Sequence, residues 1–151
     1  MMVESGRELI PLLQRSLEGV DGVRVAYLFG SRGKKGARPD SDLDIAIAYA
    51  PASSPAARER TRREVMAALA DALGRLGERA DLLDLARAGS AVGFEAIRTG
   101  TVILARSELE RIRLEASVAR RYDDEAPRRE LFRRAAIRAG RRMEGLADGR
   151  P

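Results

Sequence analysis

The chain has 151 residues, a formal net charge of +5, and neither cysteine nor histidine. This length is enough for one domain with a short appendage, but it leaves no room for a second catalytic domain. The missing residue types exclude disulfides, thiol nucleophiles, histidine bases and most zinc sites. Since no apolar run approaches the roughly 20 residues of a membrane span and the first residues lack a leader pattern, we expect a cytoplasmic protein without a membrane partner.

The positive charge suits an anionic partner, although most arginines are interspersed with glutamates, as on the solvated faces of helices. Aromatic residues make up only 4% of the chain, which provides no obvious platform for stacking nucleic-acid bases. The composition therefore favours nucleotide phosphate over nucleic acid as the anionic ligand.

The first half of the chain shows apolar repeats that alternate between helical and extended spacing. Ser5 and Glu8 have the spacing of a capping box and open a predicted helix that ends near Leu17. Two strands and a longer, proline-initiated helix follow. Their predicted bounds are 23–29 and 43–49 for the strands and 55–76 for the helix, which Gly77 ends.

The second half contains two further strands and at least three helices. A third strand is predicted over 80–85, where acidic residues interrupt an apolar run, and a fourth over 101–104. Ser90 and Gly100 bound a short helix between them. The helical remainder shows one apolar stripe at Leu109, Ile112, Ala116 and Ala119, and a second after Pro127 at Leu131, Ala135, Ala139, Met143 and Leu146.

These elements predict an α/β (α+β) fold in which helices flank a small mixed sheet of about four strands. We expect one domain over residues 1–106 and a C-terminal helical extension over 107–148. The stripe that begins at Leu109 either packs on the sheet or faces a partner, and its pattern does not decide between these alternatives. The pattern also leaves open whether the chain forms a homo-oligomer.

Gly30 and Ser31 follow the first strand directly, and Asp42 and Asp44 lie at the start of the second. A glycine-serine turn lets the backbone approach an anion, so it suits a phosphate. Residues two apart on a strand share a face, so the two aspartates project together while Leu43 faces the core. Such a pair repels unless a cation neutralises it, which favours Mg²⁺ or Mn²⁺ over the alternative of a plain loop followed by hydrated aspartates.

A third carboxylate would complete a two-metal site and help to deprotonate an attacking hydroxyl. Asp81 and Asp84 are the candidates, and strand alternation places them on opposite faces. Periodicity alone leaves the choice open. The competing interpretation of Asp84 is a strand-end residue that caps a turn or pairs with an arginine.

The segment FGSRGKKGARPDSDLDIAI resembles the signature of the DNA polymerase beta-like nucleotidyltransferase superfamily, particularly its minimal nucleotidyltransferase (MNT) branch. In that family the third acidic residue matches Asp81. The resemblance implies that Gly30 and Ser31 hold the triphosphate of ATP. It also implies that Asp42, Asp44 and Asp81 bind the metal, Mg²⁺ or Mn²⁺.

Three basic residues follow Ser31 closely enough in sequence to contact phosphate: Arg32, Lys34 and Lys35. Arginine would do so as a bidentate fork and lysine as a point charge. The alternative interpretation is that each is a solvated loop charge.

The C-terminal segment RLEASVARRYDDEAPRRELFRRAAI resembles the last helices of MNT proteins that act as antitoxins of HEPN ribonuclease toxins. The resemblance implies transfer of AMP from ATP to a tyrosine hydroxyl of the partner HEPN toxin. A small chain without an acceptor-binding domain fits a protein as second substrate. Two alternatives remain open, namely a nucleotidyltransferase acting on a small molecule or RNA end, and a non-catalytic antitoxin that acts by binding.

Overall fold

The computed structural model describes residues 6–33, 38 and 40–147. Its strands are β1 (Val23–Phe29), β2 (Asp44–Tyr49), β3 (Asp81–Asp84) and β4 (Thr101–Ala105). Its α-helices are α1 (Gly6–Glu18), α2 (Pro55–Leu73), α3 (Arg75–Glu78), α4 (Ser90–Thr99), α5 (Glu108–Asp124) and α6 (Ala126–Ala147). A 3-10 turn over Ser31–Gly33 follows β1.

The four strands form one mixed sheet in the order β3-β2-β1-β4, which confirms the predicted fold class. β1 is antiparallel to both β2 and β4, whereas β3 is parallel to β2. A parallel pair needs a crossover connection, which α2 and α3 provide. The beginning of β2 consequently lies beside the end of β1 on one side and the beginning of β3 on the other.

Helices cover both faces of the sheet, and strand alternation determines which residues face which layer. One face packs against α1 and α2 and includes Leu13, Leu17, Ile45, Ile47 and Leu69. The other packs against α4 and α5 and includes Val25, Tyr27, Ala46 and Ala96, with Leu114. As predicted, Leu43 is fully buried in the first layer.

The ends of the helices follow the sequence signals in part. Ser54 caps α2 by accepting a hydrogen bond from the Ala57 N–H, but the prediction that this helix ends at Gly77 is wrong. α2 ends before Gly74, whose φ of +57° favours glycine, and Gly77 lies inside α3. Gly77 is instead needed for close packing, because a Cβ there would approach the Leu69 carbonyl oxygen to 2.0 Å.

Ser90 and Ser5 are the two serines predicted to cap the N-termini of helices. Ser90 is the first residue of α4 rather than its cap, since Gly89 holds the cap position without a side-chain bond. The Ser90 hydroxyl instead donates to the Glu125 carboxylate at 2.5 Å, which joins α4 to the end of α5. The predicted cap Ser5 lies outside the described residues.

α5 is attached to the sheet by polar contacts as well as by the buried side chain of Val118. Arg24 donates two hydrogen bonds to Glu110, of 2.9 and 2.8 Å, and the Tyr27 hydroxyl donates to Glu115 at 2.7 Å. Burial, followed by this hydrogen bond, raises the pKa of Tyr27. The stripe predicted from Leu109 does not pack on the sheet, because its first three members are exposed.

α6 follows α5 after a single residue. Its first turn is held by the Arg129 guanidinium, which lies 3.6 Å from the centroid of the Tyr122 ring, and that ring stacks on Phe94 of α4. No helix within the described residues has the length and hydropathy needed to cross a membrane.

Candidate active site

The turn after β1 requires a glycine at position 30 for two independent reasons. Its φ is +69°, a left-handed conformation that L side chains adopt only with strain. A Cβ at this position would also lie 2.2 Å from Oδ2 of Asp44. The turn backbone and the Asp44 carboxylate therefore lie directly against each other.

The residues after Gly30 form the 3-10 turn, and Ser31 is exposed there. Arg32 is 9% exposed, and its Nε donates to the Ser41 carbonyl oxygen at 2.7 Å. The interpretation of Arg32 as a solvated loop charge is therefore wrong, since this side chain connects the two ends of the loop between β1 and β2. Lys34 and Lys35, the other predicted phosphate ligands, lie outside the described residues.

Asp44 begins β2 and pairs in register with Asp81, the first residue of β3. Alternation places both on the sheet face that carries Ala46 and Leu83, so the two carboxylates share one face. Burial raises the pKa of Asp44, and the negative charges of Asp81 and Asp42 raise it further. This concentration of like charge is the environment that a divalent cation would relieve.

Asp84 lies on the opposite face of β3. Its Oδ1 accepts a hydrogen bond from the Ala86 N–H at 2.9 Å, and its Oδ2 lies 3.4 Å from Nη1 of Arg58 on α2. These are the turn-capping and arginine-pairing contacts of the competing interpretation. The geometry thus favours Asp81 as the third carboxylate.

Asp42 lies just before β2, and the structure brings it only partly into this group. Its Oδ1 lies 2.5 Å from Nη2 of Arg79, in an ion pair whose side chains are 60% and 63% exposed. Within the described ranges, no group of three or more acidic residues is arranged to hold a metal ion. The carboxylate oxygens suit Mg²⁺ or Mn²⁺ in type, but Asp42 would have to exchange Arg79 for the metal.

Sequence reasoning missed Arg79. It belongs to the short segment between α3 and β3, where no periodic pattern marks a functional residue. The available signal was its position two residues before Asp81, because a side chain there lies near the beginning of β2 once β2 and β3 pair in parallel.

Comparison with known proteins finds one matching family model. The family model for "Polymerase beta, Nucleotidyltransferase" matches residues 12–109, more than half of the chain. No curated protein sequence matches significantly.

Three solved structures show the same fold. A toxin-antitoxin complex with AMP-PNP contains a chain that is 21% identical, with a TM-score of 0.59, and the match covers 87% of this chain and 98% of that one. A complex of tri-AMPylated Shewanella oneidensis HEPN toxin with MNT antitoxin matches at 20% identity, TM-score 0.55, with coverages of 90% and 99%. A toxin-antitoxin pair named MntA-HepT matches at 20% identity, TM-score 0.54, with coverages of 87% and 96%.

Proposed function

Because the chain belongs to the polymerase beta nucleotidyltransferase family, we propose that it is a metal-dependent antitoxin enzyme that transfers AMP from ATP to a tyrosine hydroxyl of a HEPN-domain toxin. The observation that carries this proposal is the packing of the Gly30 turn against Asp44, with Asp81 in register beside it. This arrangement combines a backbone suited to phosphate with a pair of carboxylates on one face of the sheet.

Each group has a role in the proposed reaction. Gly30 and Ser31 bind the triphosphate through backbone N–H groups and the exposed hydroxyl. Asp42, Asp44 and Asp81 would hold the metal, which when bound neutralises phosphate charge and stabilises the leaving pyrophosphate. The tyrosine oxygen forms a bond to the α-phosphorus, the bond from that phosphorus to pyrophosphate breaks, and the hydroxyl proton passes to a carboxylate, for which we propose Asp81.

Two observations support a protein as the acceptor. The described chain folds as one sheet with its helices, without a separate domain to bind a second substrate. In addition, two of the similar structures are complexes described as containing a tri-AMPylated HEPN toxin and as containing AMP-PNP. Both match over almost the full length of their own chains.

A non-catalytic antitoxin that blocks its partner by binding is the second candidate. The ion pair between Asp42 and Arg79 favours it, because that contact occupies an oxygen that the metal would need. Action on a small molecule or RNA end is a further alternative, and it predicts nucleotide transfer without any protein acceptor.

The test is the intact mass of the protein encoded by the neighbouring reading frame, which we expect to carry a HEPN domain, after incubation with this chain, ATP and Mg²⁺. We expect a gain of one or more AMP units, which a variant carrying Asp42→Asn and Asp44→Asn does not produce, since asparagine preserves shape but removes the metal-binding charge. A stable complex with no mass gain under any nucleoside triphosphate would instead support inhibition by binding. The cytoplasmic location remains a prediction.

A further inference from the structure

α6 is largely uncovered. Every described side chain from Leu131 to Arg142 is exposed, including Leu131 at 67% and Phe132 at 61%. Most helix stability in proteins comes from packing one face against a neighbour rather than from the helix itself. A helix whose described side chains have so little cover is therefore suited to packing against something outside this chain.

The charge of the protein is concentrated in this same helix. α6 contains seven of the 28 basic residues and two of the 23 acidic residues, so its net charge of +5 equals that of the whole chain. The rest of the chain has 21 basic and 21 acidic residues and is therefore neutral. Glu130 is paired with Arg133 and Arg134 at 2.7 and 2.8 Å. From Leu131 to Arg142 there are five arginines and no acidic residue.

The exposed residues are also sorted by face. At about 100° per residue, the apolar side chains other than Ile137 lie within one arc of the helix that also contains Arg142, and the other four arginines of this segment lie outside that arc. Arg128 of the preceding turn lies 5.6 Å from the centroid of the Phe132 ring, at the N-terminal margin of this arc. The apolar side comprises Leu131, Phe132, Ala135, Ala136 and Ala139. Alanines beside two large side chains form a surface that another helix can approach closely.

We propose that the apolar side of α6 is the docking surface for the toxin, and that it receives a helix with an apolar stripe and acidic margins. This inference rests on the proposed function for the identity of the partner, while the surface and its chemistry come from α6 itself. The acidic margins follow from charge complementarity with the five arginines, which would otherwise face each other or water.

The same features argue against three other binding partners for this surface, namely a second copy of the chain, nucleic acid and a membrane. A second copy of this chain would bring a helix of equal positive charge, so close pairing would be repulsive. Nucleic acid would use the arginines but would leave the exposed Leu131 and Phe132 without apolar contacts. A membrane surface would gain little from the described part of this side, because between Leu131 and Arg142 it has only two large apolar side chains among alanines.

The experiment measures the affinity of the full chain for the purified toxin, with the toxin's own activity removed by mutation. The test variant carries Leu131→Ser and Phe132→Ser. The control is Ile137→Ser, because Ile137 is 42% exposed but lies on the arginine side of α6. None of these side chains is buried in the free protein, so the fold is retained in all three proteins, which circular dichroism verifies.

We expect the double variant to raise the toxin Kd by about tenfold or more, a loss of about 1.4 kcal/mol, and the control to change it by less than about twofold. Raising the salt concentration should weaken wild-type binding further, because the arginines contribute electrostatically. Unchanged affinity of the double variant, together with intact AMP transfer by the wild type, would overturn the docking proposal alone.

Other results distinguish a failure of the docking proposal from a failure of the proposed function. If the wild-type chain neither binds nor modifies the toxin, the proposed function fails and the docking proposal fails with it. The proposal is overturned if the wild-type chain forms a homodimer and the double variant does not. It is also overturned if the double variant weakens binding to RNA or to vesicles while toxin binding persists, because α6 then has a different partner.

Discussion

Substituting Gly30 by alanine tests the central geometric claim about the site. The new Cβ would lie 2.2 Å from Oδ2 of Asp44, whereas ordinary van der Waals contacts of a Cβ begin at 3.4 Å. The carboxylate or the turn must therefore move by about 1 Å. Because Asp44 is a proposed metal ligand, this displacement falls on the reacting groups rather than on the core.

The size of the effect follows from that displacement. A misplacement of about 1 Å at a reacting centre costs on the order of 100-fold in rate, equivalent to about 2.7 kcal/mol of transition-state stabilisation. Backbone strain at a positive φ adds a separate cost of about 1–3 kcal/mol to the free energy of folding. We therefore expect AMP transfer to fall by about two orders of magnitude while most of the protein stays folded.

Gly74 offers a matched control. Its φ is +57°, similar to that of Gly30, but a Cβ there would meet no atom within 4 Å. Gly74→Ala therefore imposes backbone strain without a collision at the site. The assay measures the initial rate of AMP transfer by intact mass, with urea unfolding of both variants. If Gly30→Ala retained the rate of Gly74→Ala to within about threefold, the claim that Gly30 positions Asp44 would be wrong.

Three further predictions concern contacts that surround the site and support the fold. Arg79→Ala should tighten Mn²⁺ binding by up to about fivefold, because the substitution releases Asp42 from an exposed ion pair worth at most about 1 kcal/mol. Calorimetric titration measures the Mn²⁺ affinity, and weaker binding by the variant would contradict this prediction. Tyr27→Phe should lower the free energy of unfolding by about 1 kcal/mol near pH 7 through loss of the Glu115 hydrogen bond. Because the folded-state pKa of Tyr27 is raised, its stabilising contribution is present below the unfolded pKa of about 10 and decreases above it. Urea unfolding should therefore show that the difference in unfolding free energy between the wild type and Tyr27→Phe becomes smaller at higher pH. Arg106→Ala should destabilise by about 2 kcal/mol in the same assay, since its guanidinium donates to carbonyl groups at the end of α1, and a change below about 0.5 kcal/mol would show that water replaces it.

Much of the fold could be predicted because short-range patterns determine it. Alternation, ended by Gly30, predicts β1 over 23–29, and the structure has Val23–Phe29. Alternation also predicted that Asp81 and Asp84 face opposite ways. The two glycines after α2 were not distinguishable, because a glycine required by positive φ and one required by close packing look alike in sequence.

The site was predictable where it depends on strand geometry and not where it depends on contacts between distant segments. The turn at Gly30 follows from the end of the first strand, and the opposite faces of Asp81 and Asp84 follow from alternation. The pairing of Asp44 with Asp81, in contrast, depends on the parallel alignment of β2 and β3, and the choice of Asp81 was implied by the family resemblance. The contact between Asp42 and Arg79 joins residues 37 positions apart, and no local pattern indicates it. The burial of Arg32 likewise depends on how its loop closes on Ser41.

The helices after β4 show why hydropathy periodicity can assign the wrong face. In α5 the apolar residues Leu109 and Ile112 are 55% and 51% exposed, whereas Val118 is buried on a neighbouring stripe. Leu114 also packs on the sheet, and polar side chains turned toward it, such as Glu110 and Glu115, add attachments through Arg24 and Tyr27. A periodic pattern identifies which residues share a face, but the partners offered by the sheet decide which face turns inward. In this chain Arg24 and Tyr27 on β1 bind the two glutamates that flank Leu114 and Val118. That side of α5 turns inward, which leaves its most regular apolar stripe in solvent.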